Sequence, residues 1–145
     1  EIVHEVGPTG MFITSVMARI EQESGMLTLC SAGHNPTMIY RAATGTIEQV
    51  ESHGPPMGFL AGISYEQFED RLGPGDVLLM YTDGVTEAAS ADGEMFGEDR
   101  LAAVLGQCAT ESAGAVLEAT LSQLVQFTGR EYHDDDVSML VIRAR

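Results

Sequence analysis

Gly73-Pro74-Gly75-Asp76-Val77-Leu78-Leu79-Met80-Tyr81-Thr82-Asp83-Gly84 is the stretch that decides the architecture. Gly73 to Asp76 reads as a turn, and Val77 to Tyr81 is a continuous apolar run bounded by turn residues, the pattern of a central strand buried on both faces. Asp83 then stands at the strand end, where the backbone is rigid, and Gly84 permits a sharp turn behind it. Outward from this strand the N-terminal side is β-rich. Phe12 to Ile20 and Met26 to Cys30 read as a hairpin closed by Glu23-Ser24-Gly25, followed by short segments at Met38 to Tyr40, Thr46 to Val50 and Tyr65 to Leu72. On the other side the period changes. Leu101, Val104, Leu105 and Cys108 lie at helical spacing behind Glu98 and Asp99, which suit a positive helix start. Leu117, Leu121, Leu124 and Val125 form a second stripe, with Thr110 or Ser112 as cap and Gly129 as stop, and Val137 to Ile142 closes the chain as a strand. Six to eight strands against one pair of helices leave a sheet face uncovered, to be covered by a partner or by residues upstream.

The 145 residues, 44% of them hydrophobic, suffice for one core, so residues 1–145 are expected to form a single domain. With 22 acidic against 7 basic side chains the net charge is −15, which argues against nucleic acid and anionic membrane as partners. An acidic protein that handles a phosphorylated substrate needs a cation at the site, and seven dispersed basic side chains point to bound metal for that role. Cys30 and Cys108 lack zinc-type spacing and read as free thiols. With no apolar stretch of transmembrane length and no signal-like start, the sequence predicts a cytoplasmic protein.

Two carboxylate groupings are candidates for chemistry. Asp83 sits at the end of the central strand, although Asp-Gly is also a common turn pair. Asp134-Asp135-Asp136 crowds three acids at the entrance to an apolar strand, which a cation would relieve, although an acid run is also the usual face of a solvated turn. Oxygen ligands on strand ends suit Mg²⁺ or Mn²⁺. Ala32-Gly33-His34-Asn35-Pro36 reads as a structural turn, with His34 and Asn35 as motif residues. The sequence contains neither a nucleophile elbow nor a phosphate-binding P-loop.

In order along the chain, Met11-Phe12-Ile13-Thr14, Ala32-Gly33-His34-Asn35-Pro36, Pro74-Gly75-Asp76, Tyr81-Thr82-Asp83-Gly84-Val85-Thr86-Glu87-Ala88, Phe96-Gly97 and Asp135-Asp136-Val137-Ser138 resemble the PPM-type metal-dependent serine/threonine phosphatases of the SpoIIE and RsbU group. The resemblance implies an α+β fold, an αββα sandwich incomplete on its N-terminal side. It further implies a binuclear Mn²⁺ or Mg²⁺ centre in the complete domain and metal-assisted hydrolysis of phosphoserine or phosphothreonine. The implied substrate is a phosphorylated protein of the anti-sigma-factor-antagonist type in bacterial signalling; a homodimer is left open. By motif, Asp83 matches the ligating aspartate of the T-D-G element, Asp135 matches the first aspartate of the terminal D-D pair and Asp136 is its neighbour; Gly84 shapes the turn. The family's D-x-x-G-H-G element, whose aspartate bridges the metals, does not occur in these residues. The expectation is therefore a phosphatase parent with this piece inactive alone, and the alternative is a non-catalytic phosphatase-like module that binds a partner.

Overall fold

The computed structural model describes residues 11–130 and 135–145. Among these residues seven strands and three helices follow in the order β1 (Ser15–Ile20), β2 (Met26–Ala32), β3 (Thr37–Arg41), β4 (Thr46–Val50), β5 (Phe68–Arg71), β6 (Val77–Tyr81), α1 (Asp83–Thr86), α2 (Gly97–Cys108), α3 (Ala113–Thr128) and β7 (Met139–Arg143). They cluster into two compact units, one holding β1, β2 and β5 and the other holding β3, β4 up to Gln49, β6, β7 and the helices. No helix among the described residues is long and apolar enough to cross a membrane.

The first unit is a three-stranded sheet in the order β1-β2-β5. Antiparallel pairing sets Ile20 opposite Leu27 and Ala18 opposite Leu29, so alternation puts these residues on one face, where Leu27 and Leu29 are buried. On the opposite face Met17 pairs with Cys30 and is 69% exposed. The strand expected from Phe12 begins only at Ser15, because β2 ends at Ala32 and leaves residues 11–14 without that neighbour. Ile13 instead exchanges two backbone hydrogen bonds with Met57 (2.9 and 2.8 Å). After β2 the chain turns at Gly33, whose φ of +64° and whose missing Cβ, which would lie 2.5 Å from the Pro56 ring, both call for glycine. Its N–H points at the Ser52 hydroxyl (2.7 Å) and the Gly54 carbonyl (2.8 Å), tying the two loops together.

The second unit is a four-stranded sheet in the order β4-β3-β6-β7. The apolar run at β6 holds an inner position between antiparallel β3 and β7, and Val77, Leu78 and Leu79 are fully buried. Met38, Val77, Leu79 and Tyr81 share a face and pack with Leu101 and Leu105 of α2 and Val116 and Leu124 of α3. The Ser112 hydroxyl caps α3 by accepting from the Ala115 amide (3.1 Å), and left-handed Gly129 ends it by donating to the Val125 carbonyl. Glu98 and Asp99 lie in the first turn of α2, where the helix dipole favours them.

The start of β6 is pinned by Asp76, which is buried. Its carboxylate accepts from the amides of Gly73 (3.0 Å) and Ala42 (2.8 Å) and from the Arg41 guanidinium (3.3 Å). Arg41 also pairs with Glu48 at 2.7 Å. The Pro74-Gly75-Asp76 motif is thus an anchor that fixes where the strand begins, and through it where the strand ends.

Candidate metal site at the end of the central strand

At its far end β6 changes from strand to helix within two residues. Thr82 is still extended (φ −88°, ψ 160°), and α1 starts at Asp83 and lasts one turn. Its bonds run from the Val85 amide to the Thr82 carbonyl (3.0 Å) and from the Glu87 amide to the Asp83 carbonyl (2.8 Å). Where sequence reading expected a turn at Asp83-Gly84, the structure has this four-residue helix, which is too short to leave a periodic signature.

The segment leading into β7 runs directly against this turn. The Thr82 amide donates to the Ser138 carbonyl (3.0 Å), the Ser138 amide donates to the Thr82 hydroxyl (2.9 Å), and that hydroxyl donates to the Asp136 carbonyl (2.8 Å). Gly84 completes the approach, since a Cβ there would stand 2.5 Å from the Asp136 carbonyl oxygen and 2.9 Å from its carbon. Gly84 has no positive φ, so closeness of another backbone, not conformation, is what demands glycine.

The structure therefore brings together Asp83, Gly84, Asp135 and Asp136. Asp83, Asp135 and Asp136 are exposed. Asp83 Oδ1 accepts from the Gly84 amide (3.1 Å), Asp135 Oδ1 accepts from the Asp136 amide (2.7 Å), and among the described residues none of the three carboxylates has an ion-pair partner. Asp134 lies outside the described residues. His34 and Asn35 belong to the other unit, where His34 Nδ1 is 3.4 Å from the Thr14 hydroxyl. Sequence reading missed Thr82; its only signal was its place in the T-D-G motif.

A hard divalent cation suits this donor set, which is all oxygen, exposed and, among the described residues, without ion-pair partners. Among the described residues no three His, Cys, Asp or Glu side chains are grouped so as to hold a metal ion, so these carboxylates alone do not make a complete site.

The family model described as stage II sporulation protein E (SpoIIE) matches residues 1–145. The chain belongs to the SpoIIE family. Among curated proteins, this SpoIIE-family chain is 27% identical over 144 residues to phosphoserine phosphatase RsbU of Bacillus subtilis, covering 99% of the chain and 42% of that protein. It is 31% identical over 142 residues to protein IcfG of Synechocystis, covering 97% of the chain and 22% of that protein. The chain thus spans less than half the length of either relative. Among solved structures, the RsbU and RsbW domains of a Mycobacterium tuberculosis protein superpose with a TM-score of 0.80 at 25% identity, over 98% of this chain and 39% of that one. The SiaA-PP2C domain of Pseudomonas aeruginosa gives 0.78 at 21% identity, over 90% and 51%. The fold is that of the PPM (PP2C) phosphatases, a mixed α+β architecture with two antiparallel sheets and flanking helices.

Proposed function

We propose that this SpoIIE-family chain is the part of a metal-dependent serine/threonine protein phosphatase that carries the T-D-G and D-D ligands, acting on phosphoserine or phosphothreonine in a protein. The substrate class is a phosphorylated regulatory protein of the anti-sigma-factor-antagonist type. The observation that carries the reading is the stapling of the Asp83 turn to the Asp135-Asp136 segment. It sets two aspartate-bearing stretches side by side at one strand end, and among the described residues the carboxylates of Asp83, Asp135 and Asp136 have no ion-pair partner.

Mn²⁺ or Mg²⁺ bound there would supply Lewis-acid stabilisation of the phosphoryl oxygens and lower the pKa of a water molecule. The chain's own part is placement. Asp83 projects from the first residue of α1, its main chain tied by the bond its carbonyl accepts from Glu87. Asp135 and Asp136 offer carboxylates from the neighbouring segment, and Gly84 lets the two backbones meet. The remaining ligands would come from outside this set, as the missing D-x-x-G-H-G element also implies.

The test is Mn²⁺-dependent hydrolysis of a phosphoserine or phosphothreonine peptide by this chain and by its full-length parent. Turnover by the parent with little or none from the chain supports the reading. A parent that binds a phosphoprotein without hydrolysing it, at any Mn²⁺ or Mg²⁺ concentration, replaces it with a non-catalytic binding module.

A further inference from the structure

The last regular pair of the β6–β7 ladder is Tyr81 opposite Met139, so the next pair would be Thr82 opposite Ser138. In an antiparallel ladder such a pair exchanges two N–H to C=O bonds. Only one is made here in that form, from the Thr82 amide to the Ser138 carbonyl at 3.0 Å. The Thr82 carbonyl is engaged elsewhere, because it accepts from the Val85 amide to start α1 (3.0 Å). The Ser138 amide goes to the Thr82 hydroxyl instead, at 2.9 Å. The hydroxyl's own proton points to the Asp136 carbonyl at 2.8 Å, closer than the Ser138 carbonyl at 3.5 Å. One side chain therefore continues the ladder after its backbone has left to form a helix, and it does so between two candidate ligand segments.

We infer that Thr82 is a positioning residue: its hydroxyl, by accepting from Ser138 and donating to Asp136, sets the spacing between the Asp83 carboxylate and the Asp135-Asp136 pair. The inference rests on the metal-site reading above and assigns the spacing of that site to a side chain that need not touch metal or substrate. Serine preserves both bonds, whereas valine keeps the shape and branching of threonine and loses both. Groups that hold metal ligands in place typically change affinity by about 10-fold to 100-fold when removed.

The experiment compares wild type, Thr82→Val and Thr82→Ser in the full-length parent. Mn²⁺ affinity is measured by calorimetry and electron paramagnetic resonance. Peptide-level hydrogen exchange is read in the metal-free proteins, with the β1–β2 hairpin as internal folding control, and kcat and KM are measured on a phosphopeptide. The valine variant is expected to bind Mn²⁺ about 10-fold more weakly, to exchange faster across residues 136–140 and to keep its KM at saturating Mn²⁺. The serine variant is expected to match wild type. Unchanged Mn²⁺ affinity in the valine variant overturns the inference, as does a serine variant as weak as valine. A wild-type parent that binds no Mn²⁺ removes the metal-site reading itself, and the positioning role with it.

Discussion

Gly84→Ala isolates the closest approach in the candidate site. The added Cβ would lie 2.5 Å from the Asp136 carbonyl oxygen, where ordinary contact begins at 3.4 Å, so the two backbones must part by about 0.9 Å. Overpacking of this kind typically costs about 1–3 kcal/mol. Parting also stretches the 2.8 Å bond from the Thr82 hydroxyl to Asp136, whose loss adds about 0.5–1.5 kcal/mol. Against this, alanine is better than glycine in a helix by at most about 1 kcal/mol, and less in a single turn. The clash wins, with net destabilisation of about 1–3 kcal/mol. For a chain of this size that lowers Tm by about 3–10 °C. Gly106→Ala is the matched control: it is also helical, its Cβ would meet only Ile47 Cδ1 at 3.7 Å, and the propensity gain predicts a Tm at or above wild type. Thermal unfolding of the metal-free chain, followed by circular dichroism, reads both. A Gly84→Ala melt that coincides with wild type would refute the close packing of residues 135–136 on α1, and the site geometry with it.

Asp83→Asn keeps the shape of the side chain and removes a ligand charge, so in the parent it should abolish phosphopeptide hydrolysis and weaken Mn²⁺ binding; unchanged turnover would remove Asp83 from the ligand set. Asp76→Ala strips the acceptor from two amides and from the largely buried Arg41, and by urea denaturation it should cost about 3–5 kcal/mol. The exposed Asp92→Ala should stay within about 0.5 kcal/mol of wild type, and equal effects at the two positions would show that Asp76 is no anchor. Burial raises the Cys108 thiol above its ordinary range, outweighing the lowering by its backbone hydrogen bond, with the nearby Glu111 charge raising it further. Cys108 should therefore alkylate slowly at neutral pH, the rate climbing only above the normal thiol range; rapid labelling at pH 7 would contradict that burial.

Elements whose signal is local were legible. The Val77–Tyr81 run identified the central strand, and helical spacing with the Gly129 stop located α2 and α3 within a few residues, the structure choosing Ser112 over Thr110 as the cap. Where neighbours decide the outcome, sequence alone misplaced the boundaries. Tyr65 to Leu72 reads as a strand, yet the regular β2 ladder takes in Phe68–Arg71, while the Tyr65 ring packs beside Gly54. Motif spacing picked out Asp83, Asp135 and Asp136 as separate groupings. Their adjacency depends on the β6–β7 register, which nothing within either segment encodes. Thr82 was invisible as a participant because its role arises only when a strand ends in a helix beside a second strand.

The Thr82–Asp136 bond joins residues 54 positions apart. Closing a flexible loop of that length costs roughly 3–4 kcal/mol in chain entropy apart from a constant term, and nothing in either segment repays it before β7 docks on β6. The meeting of the Asp83 turn with the Asp135-Asp136 segment is thus a late product of folding. A cation held jointly by both segments would favour the docked state by mass action, coupling metal occupancy to retention of the C-terminal strand. If the two segments do share a cation, its removal would loosen the docking of β7 on β6, and faster proteolysis around residues 136–140 would report that loss.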